Sequence, residues 1–189
     1  MRAFAATLRE GMSEEEAHEE LRLQGLAAGV EKLWHPSKIR FGRNTTCTFR
    51  QASDPTVRLM KGDLFFIDYG PVFQGHEGDF GETYLFQGQG HRLIEAVEAV
   101  YAATAECWRQ HSLSGQALYE FAATRARALG VELDPRMAGH RIGDFPHALH
   151  HKGSLGEEAR TPSAERWILE IHLIDRHQGL GAFKEDLLS

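Results

Sequence analysis

The sequence predicts an α+β chain. Stretches of helical apolar period alternate with short β-rich runs, and the β-rich runs come in two pairs, one in each half. No repeat of short period accompanies them. The opening MRAFAATLRE reads as a short helix stopped by Gly11, and Ser13 with Glu16 makes a capping box that opens a second helix through about Ala28. The acidic run Glu14 to Glu16 suits the positive end of the helix dipole and reads as a solvated helix start. KIRFG and DLFFIDYG read as strands, and GETYLF follows after a glycine-containing connection, the pattern of a β-hairpin. From His91 to about Gln110, Leu93, Val97, Val100 and Ala103 recur at helical spacing, and Ser114 caps a further helix, GQALYEFAATRARAL, closed by Gly130. A broken stretch carrying His140 and His147 around Gly143 and Pro146 follows, and then the polar loop KGSLGEEARTPSAE. RWILEIHLI is a strongly apolar strand, and GAFKEDLL a short last one.

Composition narrows the function classes. A chain of 189 residues, 42% hydrophobic and 25% charged, suits one domain, residues 1–189, with a sizeable core. A net charge of −6 without a basic cluster argues against nucleic acid or an anionic membrane as partner. The amino terminus mixes charges into its apolar positions, so neither a signal peptide nor a membrane span is read there and a cytoplasmic protein is expected. Cys47 and Cys107 form no CxxC motif and are expected as buried thiols. Phosphate-loop, HExxH, GxSxG and dinucleotide-binding motifs are all missing.

The carboxylates carry more information. Asp68 and Asp79 sit on the two arms of the expected hairpin, where antiparallel pairing can bring them side by side, a placement tolerated when a cation lies between them. The alternative is that DYGP and EGDFG are turns in which Asp caps its own backbone. Glu170 is flanked by apolar residues in a strand that reads as buried on both faces, so it needs a metal, an arginine or a histidine nearby. Glu185, close to the carboxyl terminus, reads by itself as a surface acid. His140 alone would be a structural residue, His147 is undecided, and His150 with His151 reads as an exposed loop pair. Together, two Asp, two Glu and one His form an oxygen-rich donor set suited to a pair of divalent ions such as Mn, Co, Fe or Zn, with four carboxylates balancing two dications.

Across nearly its whole length the chain resembles the catalytic domain of the pita-bread metallopeptidases, which include methionine aminopeptidase, aminopeptidase P, prolidase and creatinase. The segments that carry the resemblance are GMSEEEAHEEL, HPSKIRFGRNTT, MKGDLFFIDYGPVFQGHEGDFGETYLFQG, AGHRIGDFPH, WILEIHLI and GAFKEDLL. It implies a curved antiparallel sheet with helices on its outer face, in pseudo-twofold halves of about residues 1–90 and 91–189. It also implies that Asp68, Asp79, His140, Glu170 and Glu185 hold two metal ions, Asp79 and Glu185 bridging them, Asp68 on one ion and His140 with Glu170 on the other. A metal-bridging hydroxide would attack the scissile carbonyl, Glu170 would shuttle the proton, and His147 would hydrogen-bond the substrate near its scissile bond. The implied partner is a peptide substrate, with a homodimer also compatible. The first residues align inside an early helix of the family's domain.

The departures are specific. A histidine of aminopeptidase P and prolidase aligns with Phe49, whose ring cannot make that residue's hydrogen bond, and His35 and His76 are the candidates to compensate. Losing one such stabiliser commonly costs on the order of a hundredfold in rate. Glu82 replaces an arginine, EIH replaces Glu-Pro-Gly, and Phe183 stands where aminopeptidase P has an arginine. Two expectations follow: an Xaa-Pro peptidase-like metallo-aminopeptidase acting on amino-terminal residues or short peptides, or a catalytically silent metal-binding protein of the same fold that binds a peptide or protein. Hydrolysis of a non-peptide amide, as by creatinase, ranks behind both.

Overall fold

The computed structural model describes residues 1–149 and 151–189, so the expectation for His150 lies outside the described residues. The first helix, α1 (Arg2–Ala5), is shorter than its apolar pattern suggests, because the Thr7 amide and hydroxyl both donate to the Phe4 carbonyl and close it as a turn. The second, α2 (Glu14–Ala27), starts at the expected capping box: Ser13 Oγ accepts from the Glu16 amide at 3.1 Å, and the Glu16 carboxylate accepts from the Ser13 amide at 2.8 Å. Glu14 is not solvated as expected. Its Oε1 accepts from the Phe41 amide at 2.8 Å and from Asn44 Nδ2 at 2.9 Å, fastening the helix to the strand that follows.

Six strands follow: β1 (Lys32–Leu33), β2 (Lys38–Phe41), β3 (Leu64–Tyr69), β4 (Pro71–Phe73), β5 (His76–Glu77) and β6 (Phe80–Leu85). The arms β3 and β6 pair antiparallel, but their connection is more than a turn. It folds out as β4 and β5, which join β1 in a separate three-stranded sheet. Asp79 therefore lies one residue before β6, not on the arm itself. Helix α3 (Arg92–His111) is capped by the His91 side chain and α4 (Gly115–Ala128) by Ser114, and Gly130, at φ +71°, turns the chain out of α4. Then come β7 (Glu132–Leu133), β8 (His140–Arg141), β9 (Trp167–Asp175) and β10 (Leu180–Leu187).

The main sheet runs β2-β3-β6-β10-β9-β7, antiparallel throughout, and β8 also pairs with β9. Alternation along each strand sorts its side chains. Phe65, Ile67 and Tyr69 of β3 pack with Phe4, Ala17 and Leu21, while Leu169, Ile171 and Leu173 of β9 pack with apolar residues of α3 and α4. The opposite face of the sheet is left to Phe66, Asp68, Glu170, Phe183 and Glu185. Both cysteines are half-buried, not buried as expected, and free. Among the described residues no helix is long and apolar enough to cross a membrane.

Candidate metal centre

Strand register assembles the carboxylates. Asp68 pairs with Gly81, Gly81 with Glu185, and Glu185 with Glu170, so one row crosses β3, β6, β10 and β9. Residues paired in this way share a face, about 4.5–5.5 Å apart at Cβ. Gly81 holds the place in the row where a side chain cannot fit. A Cβ there would stand 2.3 Å from Phe183 Cε1 and 2.6 Å from Glu185 Cγ. Asp79, two residues earlier, reaches the same face with its side chain fully enclosed. Glu185, read from sequence as a surface acid, is buried, whereas Glu170 keeps part of its carboxylate open to a cavity.

His140 enters from β8. Its Nδ1 donates to the Arg141 carbonyl at 2.8 Å, so in the neutral ring the Nε2 lone pair faces the carboxylates, 2.8 Å from Asp79 Oδ2 and 3.8 Å from Glu170 Oε1. With the His140 ring neutral, buried Asp79 Oδ2 and Glu185 Oε1 have no hydrogen-bond donor among the described residues. Orphaned buried oxygens of this kind need an explanation, and an ion is one. The donor atoms form two groups, His35/Asp68/Asp79 and Asp79/His140/Glu185, each within 4.8 Å and sharing Asp79. Oxygen-rich with imidazole, the set fits divalent first-row metals.

The electrostatics agree. Burial, opposed by His35 and reinforced by the charges of Asp79 and Glu170, pushes Asp68 up to about 8. Burial and the neighbouring Asp79, Asp68 and Glu170 hold Glu185 well above the usual carboxylate range. Burial would raise Asp79 as well, but the adjoining imidazoles of His140 and His35 outweigh it and keep it low. Such crowding is relieved when cations take the place of the protons.

The supporting layer is well defined. Glu170 Oε2 accepts from the Gly139 amide at 2.9 Å, which leaves Oε1 for the cavity, and the Tyr119 hydroxyl bonds both the amide and the carbonyl of Glu170. His147 lies beside His140, ring centroids 5.9 Å apart, and the edge of Trp34 meets both rings. The cavity above the row, ≈ 740 Å³, is lined among others by Trp34, Phe49, Arg50, Arg136, His147 and Lys152.

Two neighbours of the row, Glu77 and Trp34, were not singled out in the sequence. Glu77, enclosed beneath His147, accepts from its Nδ1 at 2.6 Å and from its amide at 3.0 Å. Its only sequence signal is its place two residues before Asp79. Trp34 donates from Nε1 to the Gly78 carbonyl at 2.9 Å. Of the two histidines weighed as compensators, His35 reaches Asp68 and Asp79, whereas His76 pairs with Asp144 at the exposed surface. Phe49 meets the His35 ring at 5.4 Å. Glu82 is turned away from the cavity towards Tyr84 and Arg2, His172 is fully buried against the Thr45 carbonyl, and Phe183 packs on Phe66. His151 is partly buried against Trp167, not exposed as expected.

Comparison with curated protein sequences gives no match. Among solved structures, the chain is similar to an X-Pro aminopeptidase from Thermotoga maritima MSB8 (TM-score 0.76, 18% identity, covering 97% of this chain and 52% of that one). It is also similar to a prolidase from Pyrococcus horikoshii OT3 (0.76, 20%, 98% and 53%) and an Xaa-Pro dipeptidase from Bacillus anthracis (0.74, 17%, 98% and 52%). The chain thus spans about half the length of these proteins. The fold is the pita-bread α+β fold that the sequence resemblance implies. Residues 1–185 match the profile of metallopeptidase family M24, and the chain belongs to that family.

Proposed function

We propose that the chain is a dinuclear metal-dependent exopeptidase that removes amino-terminal residues or splits short peptides, Xaa-Pro sequences among them. The observation that carries this reading is the pair of buried oxygens left without a donor when the His140 ring is neutral, Glu185 Oε1 in the row of carboxylates and Asp79 Oδ2 beside it on the same face. Asp68, Asp79, His140, Glu170 and Glu185 would hold two divalent ions, manganese, cobalt, iron or zinc. Such ions, when bound, make water acidic enough to serve as a nucleophile near neutral pH and polarise a carbonyl. Glu170 Oε1, left open while the Gly139 amide occupies Oε2, accepts the proton of the attacking water and delivers it to the departing nitrogen. His147, its Nδ1 donating to the Glu77 carboxylate, turns Nε2 towards the substrate and, with both ring nitrogens protonated, donates from Nε2 to the carbonyl oxygen as that oxygen gains charge. Trp34 and Phe49 give the cavity an apolar wall that excludes water from the scissile bond.

A second reading, a silent binding protein, draws on Phe49 standing where the sequence resemblance implies a histidine. A peptide library presented to metal-stripped protein reloaded with Mn, Co or Zn, followed by mass spectrometry, separates the two. The peptidase reading expects single-residue losses from amino termini that disappear in Glu170→Ala. Intact peptides with every metal, at two bound ions per chain, would favour the binding protein.

A further inference from the structure

His35 stands outside the five-residue set, yet its Nε2 lies 3.5 Å from Asp68 Oδ1 and 3.4 Å from Asp79 Oδ1. Charge-assisted N–H to carboxylate bonds settle near about 2.7–2.9 Å, so neither approach is a good ion pair. Two donors on one dication, each about 2.0–2.2 Å from it at a near-tetrahedral angle, stand roughly 3.4 Å apart. Both separations therefore match edges of a coordination polyhedron.

The ring is also set up to bind. Its Nδ1 donates to the Pro36 carbonyl at 3.0 Å, which leaves the Nε2 lone pair of the neutral ring facing the two aspartates. His140 is held in the same way, Nδ1 on the Arg141 carbonyl and Nε2 on Asp79, on the other side of the row. The fold reserves the space. A Cβ at Gly70 would lie 2.3 Å from His35 Cδ2 and Nε2, and the Trp34 and Phe49 rings meet the imidazole at 4.2 and 5.4 Å.

We propose that His35 is a sixth protein ligand, binding through Nε2 the ion held by Asp68 and Asp79, so that each ion of the pair takes one imidazole. This rests on the dinuclear reading above and adds a nitrogen to the half of the centre that otherwise has only oxygen donors. Its consequence is metal preference: an added imidazole favours zinc, cobalt or iron over manganese at that position.

X-ray absorption of the full chain loaded with two zinc ions counts imidazoles by their outer-shell scattering and needs no activity. The expected result is about one imidazole per zinc in the wild type and about half that in His35→Ala. Competition with a chelator should show one of the two ions weakened by about tenfold to a hundredfold in the variant, the other unchanged. About half an imidazole per zinc in the wild type at full loading would overturn the proposal while leaving the two-ion centre standing, and that count does not depend on any variant folding. Failure of the wild type to retain zinc, or retention indifferent to Asp79→Ala, would overturn the centre and the proposal with it.

Discussion

Glu77 and His147 form a carboxylate–imidazole pair in which both Glu77 oxygens go to the same residue, one to the ring and one to the amide. A carboxylate so placed keeps Nδ1 protonated and aims Nε2 at the cavity, so any effect of Glu77 on turnover is expected to pass through that ring. Glu77→Gln should lower kcat by about tenfold to a hundredfold with KM little changed, since removing a stabiliser of developing charge outright costs about a hundredfold or more. If Glu77 acts through His147, the double variant with His147→Ala will be no slower than His147→Ala alone; additive losses would assign Glu77 a separate role. Single residues are also where the sequence was least legible. Asp68, Asp79, His140, Glu170 and Glu185 could be picked out because their order carries a family resemblance. Glu77 and His35 carry no such mark, because they reach the site through the β4–β5 excursion and through the space left at Gly70, contacts that no local pattern encodes.

Strand pairing does for the carboxylates what no short motif could. Asp68 and Glu170 are a hundred residues apart, and only the register β3-β6-β10-β9 sets them in one row, with Gly81 keeping the row open. In Gly81→Ala the new methyl meets the Phe183 ring and the Glu185 side chain at distances that force one of them to move. The expected outcome is a loss of about 1–3 kcal/mol of stability together with weaker metal retention, measured by denaturant melts and metal analysis. Gly143→Ala is the control, because nothing lies within 4 Å of its added Cβ, and it should match the wild type. Equal metal content in the two variants would mean that the row tolerates a side chain at its centre. Elements with local causes were readable in advance: the capping box of α2, the Ser114 cap of α4 and the apolar run of β9 all form as expected. Elements fixed by distant partners were not. Glu185 read as a surface acid because its burial is decided by β6 and β9 on either side, and Glu14 read as solvated because its partners lie at Phe41 and Asn44.

The molecule as a whole feels the centre through pH. Without ions, burial lifts Asp68 to about 8 and Glu185 well above its ordinary value, so the folded chain retains protons that unfolded carboxylates have released. His140, which burial would lower but Asp79 and Glu170 raise to about 9, acts in the same sense, as does His35, raised against burial by Asp79 and Asp68. Each of these groups contributes its stability in full below its unfolded pKa and loses it as pH rises through the folded value. His18 runs the other way. Burial, helped by Arg40 and Lys38, depresses it to about 4, so its contribution is complete above about 6.5 and disappears only on acidification. From about pH 6.5 to 9 the centre is therefore free to set the slope, and the melting temperature of chelator-treated protein should fall across that range. Divalent ions, which replace the retained protons, should restore it most at the alkaline end, where ligands are already deprotonated and affinity is highest. Asp68→Asn removes one of the two charges that the metal-free fold tolerates poorly, so its metal-free melting temperature should fall less steeply between the same limits. Thermal melts with chelator, with zinc and with manganese at half-unit pH steps measure all three curves. A metal-free wild type whose melting temperature stays level or climbs from pH 6.5 to 9 would show that the carboxylate row is already neutralised by the chain itself, and that no ion is needed to hold it.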